Sequence, residues 1–305
     1  SAAERGCDVR LLYDAIGSWR IEHDIHLAPL IAAGARVIPF RPIHTWRFSL
    51  FNFFQSSFLH RNHRKVLIVD DGLAFCGGLN IGDEYAGHLS GGSAYFADVH
   101  LKIEGPAAED LQDVFLDSWG DAMSSVERHE QLLHGNNKSA LITFLSEMLL
   151  AHHKKRLLPN AESAKTQVEA SGVTFATARS SLVQVLLSNV RREKLYIQRA
   201  LPEVIRSAQT RCYITSPYFL PPKRVRDALV DAARRGVDVR VITAGKTDVF
   251  LSKYAARHMY GLLLANGIKI YEMKNHALHA KLCVLDDVYT TVGSFNLDVL
   301  SNTRN

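Results

Sequence analysis

The chain carries one unit twice, and this constrains its fold more than any other feature. Self-similarity at long range means that each copy is a structural module and that a motif in one copy has a counterpart in the other. Residues Ala2-Ala3-Glu4-Arg5-Gly6-Cys7-Asp8-Val9-Arg10 match Ala232-Ala233-Arg234-Arg235-Gly236-Val237-Asp238-Val239-Arg240. Both read as a helix end, a glycine cap and a strand entering a core. Leu30 to Val37 matches Leu263 to Ile270, again helix, glycine and strand, and His63 to Asn80 matches His279 to Asn296 without a gap.

Within each copy helical and strand patterns alternate, which predicts an α/β architecture. The expected organisation is a first lobe over 1–125, a connection over 126–172 with no counterpart in the first copy, and a second lobe over 173–305. Each lobe is expected to hold a mixed β-sheet flanked by helices. The two lobes are expected to pack with pseudo-two-fold symmetry around one shared active site.

Composition narrows the partners. The 305 residues are 47% hydrophobic and 22% charged, as in a folded protein rather than a disordered one. A formal charge of +5 favours an anionic partner, nucleic acid or a membrane surface. No apolar run reaches the roughly 20 residues needed to span a bilayer. The cysteines Cys7, Cys76, Cys212 and Cys283 form no CxxC pair and sit in apolar stretches, so buried reduced thiols are expected and a zinc site is not.

The chemistry is concentrated in the third repeated block. Each copy holds His-x-Lys, four apolar residues and Asp: His63, Lys65 and Asp70, then His279, Lys281 and Asp286. Residues two apart on a strand share a face, so each His and Lys should emerge together. The intervening Val66-Leu67-Ile68-Val69 and Leu282-Cys283-Val284-Leu285 suit strands buried on both faces. Downstream come Gly77-Gly78-Leu79-Asn80 and Gly293-Ser294-Phe295-Asn296. Their glycines suit close approach of backbone to a ligand, and the amides of Asn80 and Asn296 can donate to it. Gly78, Asn80, Ser294 and Asn296 are therefore the expected phosphate-binding positions. Two imidazoles let one attack phosphorus while the other protonates the leaving oxygen. Two ammonium groups and two amides meet the charge that develops, so no metal or other cofactor is called for. Asp70 and Asp286 have two readings, orienting a His or Lys or capping the strand turn. Asp98, on an otherwise apolar strand, needs a partner, and a catalytic histidine or a surface cation would serve.

These duplicated HxKxxxxD motifs, with GGxN and GSxN following, resemble the phospholipase D superfamily over nearly the whole chain. Gly77 to Tyr85, Asp98 with Ile103-Glu104-Gly105-Pro106, Pro217-Tyr218-Phe219-Leu220-Pro221 and Gly293 to Asp298 are similar to its bacterial cardiolipin synthase branch. The resemblance implies transfer of a phosphatidyl group to phosphatidylglycerol through a phosphohistidine, with His63 as nucleophile and His279 as acid and later base. It implies phospholipid substrates, an anionic membrane surface as partner and no nucleic acid, and leaves the oligomeric state open. It also implies work at the cytoplasmic face of the bacterial inner membrane, peripherally or through an anchor outside this chain. Leu300 stands where the family has Arg, and the chain stops at Asn305 about where it has Glu. The opening residues read as a lobe lacking its first strand and helix.

Phe48 to Phe58 holds five phenylalanines with Arg41, Trp46 and Arg47 nearby, which suits either an interfacial lipid loop or a core strand and turn. Tyr218 and Phe219 suit either a substrate pocket or the core. The run His152 to Arg156 suits a solvated face or an anionic-membrane contact. Competing functions are a lipid hydrolase or nuclease of the same superfamily, and a non-catalytic lipid-binding scaffold. The scaffold would be marked by loss of a His or Lys, and both pairs are present.

Overall fold

A computed structural model of the chain describes residues 1–18, 21, 27–41, 61–134, 181–189, 194–246 and 250–298. The stretch Phe48 to Phe58, the basic run at 152–156 and Leu300 lie outside the described residues, as does most of the expected connection. The chain divides into two compact units, Ser1–Ile43 with Leu116–Ser181, and His44–Phe115 with Leu182–Asn305. Both His-x-Lys stretches fall in the second unit.

In the first unit, strand β1 (Arg10–Asp14), helix α1 (Leu27–Ala32) and strand β2 (Arg36–Phe40) follow one another. The two strands pair in parallel, Arg10 opposite Arg36. The second unit opens with β3 (Val66–Val69), β4 (Leu73–Gly77), β5 (Phe96–Ala97) and β6 (His100–Glu104). Helix α2 (Pro106–His134) starts here. After the short hairpin β7 (Ser188–Asn189) and β8 (Lys194–Leu195) come α3 (Tyr196–Ser207), β9 (Arg211–Thr215), α4 (Lys223–Arg234), β10 (Asp238–Ala244) and α5 (Phe250–Ala265). The unit ends with β11 (Lys269–Met273), β12 (Ala277–Leu278), β13 (Leu282–Leu285) and β14 (Tyr289–Val292).

The repeat is written into the backbone. Gly6 and Gly236, and Gly34 and Gly267, all take the left-handed conformation, with φ of 84°, 92°, 94° and 83°. After each, the next amide reaches back five residues: Cys7 to Ala2, Val237 to Ala232, Ala35 to Leu30 and Ile268 to Leu263. Four such closures in two matched pairs lead the chain into the following strand, three of them from a helix and the first from the turn at 2–6.

The larger sheet runs β11-β10-β9-β13-β14. Its β9, β10 and β11 are parallel, while β13 is antiparallel to both β9 and β14. It is thus mixed, as expected. Helix α4 buries Val225, Ala228, Leu229 and Ala232 at the three- and four-residue spacing of one helical face. These meet Leu201 and Ile205 of α3, Leu263 of α5, and Cys212, Ile214, Val239, Val241, Cys283 and Leu285 from the sheet. Each such aliphatic side chain contributes about 1.5–3 kcal/mol of transfer free energy.

The smaller sheet is antiparallel, in the order β3-β4-β6. Val66, Ile68, Ala74, Cys76 and Ile103 pack with Ala108 and Leu111 at the start of α2. The other face carries Leu67, 58% exposed, and Val69, 40% exposed. Burial on both faces, expected for Val66 to Val69, is therefore corrected, because the apolar core lies on one face only. Leu282 to Leu285 has no exposed residue: Cys283 and Leu285 lie in the main core and Leu282 packs with Ala244, Leu278 and Ala280. The thiol expectation is corrected in part: Cys212 and Cys283 are buried, Cys76 is half-buried and Cys7 is exposed.

One short pairing positions the site. Parallel strands β5 and β12 align Phe96 with Ala277 and Ala97 with Leu278. Beyond them the amides of His279 and Ala280 both donate to the Ala97 carbonyl. Asp98 and His279 thereby lie side by side, although far apart in sequence.

Candidate functional site

His63 and Lys65 precede β3, and His279 and Lys281 precede β13, so the motif lies on extended chain leading into each strand rather than on the strand itself. This displaces the expected placement by three residues. The two imidazoles are brought together, their ring centroids 6.3 Å apart and tilted by 56°. Such a gap accommodates one phosphate with reacting atoms about 3–3.5 Å away on either side.

The two rings are held differently. His63 Nδ1 lies 3.0 Å from the Ser294 carbonyl oxygen. A carbonyl can only accept, so Nδ1 carries the proton and the Nε2 lone pair is free. Burial, reinforced by the charges of Lys65 and Lys281, lowers the His63 pKa to about 3. His63 is consequently neutral across the ordinary pH range. His279 Nδ1 instead lies 2.7 Å from the Asp98 carboxylate, whose side chain is fully buried. A carboxylate can only accept here, so the bond holds the proton on Nδ1 and fixes that atom.

Both lysines turn back on their own motifs. Lys65 Nζ donates to the His63 carbonyl at 2.7 Å, and Lys281 Nζ donates to the His279 carbonyl. The Lys281 nitrogen also stands 3.0 Å from His279 Nδ1. Its buried setting pulls its pKa down to about 8, while Asp98 and the buried Asp298 resist that shift. Asp298 is an acidic contributor that the motif reading missed.

The remaining expected positions separate. The hydrogen bonds of Asp286 are those of a turn cap, the second of its two readings. Its carboxylate accepts the backbone amides of Gln209, Thr210 and Arg211 and the Thr210 hydroxyl. Those bonds hold its pKa far below the usual carboxylate range. Four intervening strand residues, at about 3.3 Å each, carry it away from Lys281. Asp70 occupies the matching left-handed turn, φ 54° against 51° for Asp286, and is exposed.

Gly78 makes room for protein rather than for a ligand: a Cβ there would stand 2.6 Å from Asp98 Cγ. Ser294 enters through its backbone carbonyl, on His63. Asn80 is exposed, and its Nδ2 donates to the Tyr85 hydroxyl at 2.9 Å. The Asn296 amide oxygen is buried without a hydrogen-bond partner. Amide oxygen and nitrogen are interchangeable by a flip, so this position can offer a ligand a donor. The Gly293 to Asp298 segment is held by Ser216, whose buried hydroxyl accepts the Leu297 amide, and by the Leu220 amide on the Leu297 carbonyl. Phe219 is fully buried in the core, which decides between its two readings in favour of packing.

Tyr85 and Phe96 were not singled out from sequence. Tyr85 and Phe96 stack at 4.8 Å, and both present edges to His279, at 5.4 and 5.6 Å. The signal available was the position of Tyr85, five residues after Asn80.

Two His-x-Lys stretches meeting ring to ring beside a mixed sheet are the features on which the similarity to known proteins centres. Residues 201–305 match the family described as "Cardiolipin synthase, PLD-like domain". The chain is 33% identical over 300 residues to cardiolipin synthase 1 of Bacillus cereus, covering 98% of this chain and 51% of that protein. It is 32% identical over 302 residues to cardiolipin synthase of Geobacillus kaustophilus, again covering 98% and 51%. The chain thus spans about half the length of these curated relatives. Among solved structures, phosphatidylserine synthase from Haemophilus influenzae is 13% identical, with a TM-score of 0.49, over 99% of this chain and 76% of that one. No helix among the described residues is long and apolar enough to cross a membrane.

Proposed function

We propose that the chain supplies the catalytic machinery of a phosphatidyltransferase that makes cardiolipin from phosphatidylglycerol. The observation that carries this reading is the facing pair of histidines with unlike partners at Nδ1. His63, with Nε2 unprotonated, attacks phosphorus of one phosphatidylglycerol. The P–N bond forms as the P–O bond to the glycerol headgroup breaks, and His279 passes its proton to the departing glycerol oxygen. Neutral His279 then takes the proton from a hydroxyl of a second phosphatidylglycerol. That oxygen attacks phosphorus, the P–N bond breaks, and His63 is restored. Lys65, Lys281, Asn80 and Asn296 meet the charge on the equatorial oxygens. Asp98 fixes His279 for both proton transfers.

Two lobes, over 1–125 and 173–305, related by a pseudo-two-fold axis would give each histidine an equivalent place. The repeat and the matched backbone closures support that arrangement. An anionic membrane surface is the proposed partner, in keeping with a positive chain acting on lipid.

The test is incubation of the chain with phosphatidylglycerol vesicles and analysis of the lipids by mass spectrometry. Cardiolipin and free glycerol in equal amounts, both abolished by His279→Ala, are expected. Phosphatidic acid in place of cardiolipin would make the protein a hydrolase. Absence of turnover on lipid, with cleavage of single-stranded DNA, would replace the reading with a nuclease.

A further inference from the structure

The Asp98 hydrogen bond fixes one atom of His279, but a single contact leaves the ring free to pivot, since rotation about the histidine χ2 bond is soft. The contacts that remove this freedom come from the loop after β4. Its residues 83–86 are stitched to the chain entering β5: the Ser93 amide donates to Asp83, Ala94 to Ala86, and Phe96 to Glu84. Stitching places the Tyr85 ring flat against Phe96 and edge-on to His279 at 79°. The same strand end delivers Asp98 to Nδ1. Tyr85 and Phe96 are only half-buried and, among the described residues, are not part of the clusters that form the cores of the two sheets, so filling those cores does not account for the pair. The Tyr85 hydroxyl also accepts the Asn80 amide, linking an expected phosphate donor to the ring that packs on His279.

The geometry points to Tyr85 as a positioning residue for His279 and Asn80: its ring, backed by Phe96, locks the imidazole so that Nε2 meets the leaving oxygen, and its hydroxyl fixes the Asn80 amide. This rests on the transfer reading above. A misplacement of about 1 Å in such a site costs on the order of a hundredfold in rate, so the contact bears on kcat.

The test exploits the leaving group. Glycerol must be protonated as it departs, whereas p-nitrophenolate departs without help. The full chain, Tyr85→Leu, Tyr85→Phe and His279→Ala are compared on vesicles of phosphatidylglycerol and of phosphatidyl-p-nitrophenol. Tyr85→Leu should lower kcat on phosphatidylglycerol by roughly tenfold or more with KM little changed. Its first-turnover burst of p-nitrophenolate should stay within about threefold of the parent, the pattern also expected of His279→Ala. Tyr85→Phe keeps the ring but releases the Asn80 amide, and should lose clearly less kcat than Tyr85→Leu. Equal losses on both lipids, or undiminished turnover of phosphatidylglycerol by Tyr85→Leu, would overturn the assignment. If the parent chain turns over neither lipid, the transfer reading itself fails. The clamp is then read by NMR: the ring-current shift of the His279 ring protons should shrink in Tyr85→Leu to the part that Phe96 supplies, and an unchanged shift overturns the clamp as well.

Discussion

Gly78 and Asp98 interlock: the missing side chain of one is the space that the carboxylate of the other occupies. A Cβ at Gly78 would stand 2.6 Å from Asp98 Cγ, and the oxygens lie closer still. Asp98 in turn holds His279 Nδ1 at 2.7 Å. Gly78→Ala should therefore act as a remote version of Asp98→Ala. Both are expected to reduce turnover by roughly tenfold or more, given the cost of a small displacement at a reacting centre. The double variant should be little worse than either single one, since both act through the same ring. Additive losses in kcat would show that Gly78 serves something other than Asp98.

Asp286 belongs to the fold rather than to the chemistry. Its carboxylate gathers three successive amides and a hydroxyl at the entry to β9. Asp286→Ala should lower the thermal midpoint while leaving kcat unchanged well below it. The sign with pH follows from the lowered pKa. Unfolded, the group takes up a proton near its ordinary 3.8, whereas folded it resists doing so. Its stabilisation is thus complete above about pH 4 and is lost as the pH falls further. Thermal melts of parent and variant should converge in acid, and a constant gap down to pH 2 would contradict this account.

A variant lacking the second histidine should trap the first step. In His279→Ala a good leaving group still departs from phosphorus, but nothing removes the proton from the incoming alcohol. Incubation with phosphatidyl-p-nitrophenol is expected to leave the phosphatidyl group on His63 at close to one per chain. Peptide mass spectrometry should locate it there, and mild acid should release it by cleaving the P–N bond. A label on His279 in the reciprocal His63→Ala variant would reverse the two roles.

Much of this site was legible in the sequence because it repeats. The gapless match from His63 to Asn80 with His279 to Asn296 picked out both histidines, and the isolated Asp98 on an apolar strand signalled a missing partner. Spacing did not reveal which contacts close over distance. Asp286 had two readings because its amides come from β9, some 75 residues away. The glycine pair suggested ligand approach, and only the arrival of β5 and β6 beside it shows that Asp98 fills the gap. Tyr85 reaches His279 through loop stitching that no periodicity encodes. The apolar runs before Asp70 and Asp286 look alike in sequence, yet the first has one exposed face and the second has none.

Lys281 sets the alkaline limit. Burial has brought its pKa down to about 8, so the ammonium is held below that pH and lost above it. The charge neutralising the phosphate oxygens should therefore fade as the pH rises through about 8, and kcat with it. His63 contributes no acid limb near neutrality, since with a pKa of about 3 it stays unprotonated and nucleophilic far below pH 6. The same depression carries a stability cost in acid. Unfolded His63 binds a proton below its ordinary 6.5 and the folded side chain does not until about 3, so the fold loses stability as the pH falls between those values. Replacing Lys281 by Arg, which stays charged at any accessible pH, should abolish the alkaline fall even if the maximum is lower. A pH–rate profile of the Arg variant that still declines near pH 8 would assign the limit to another group.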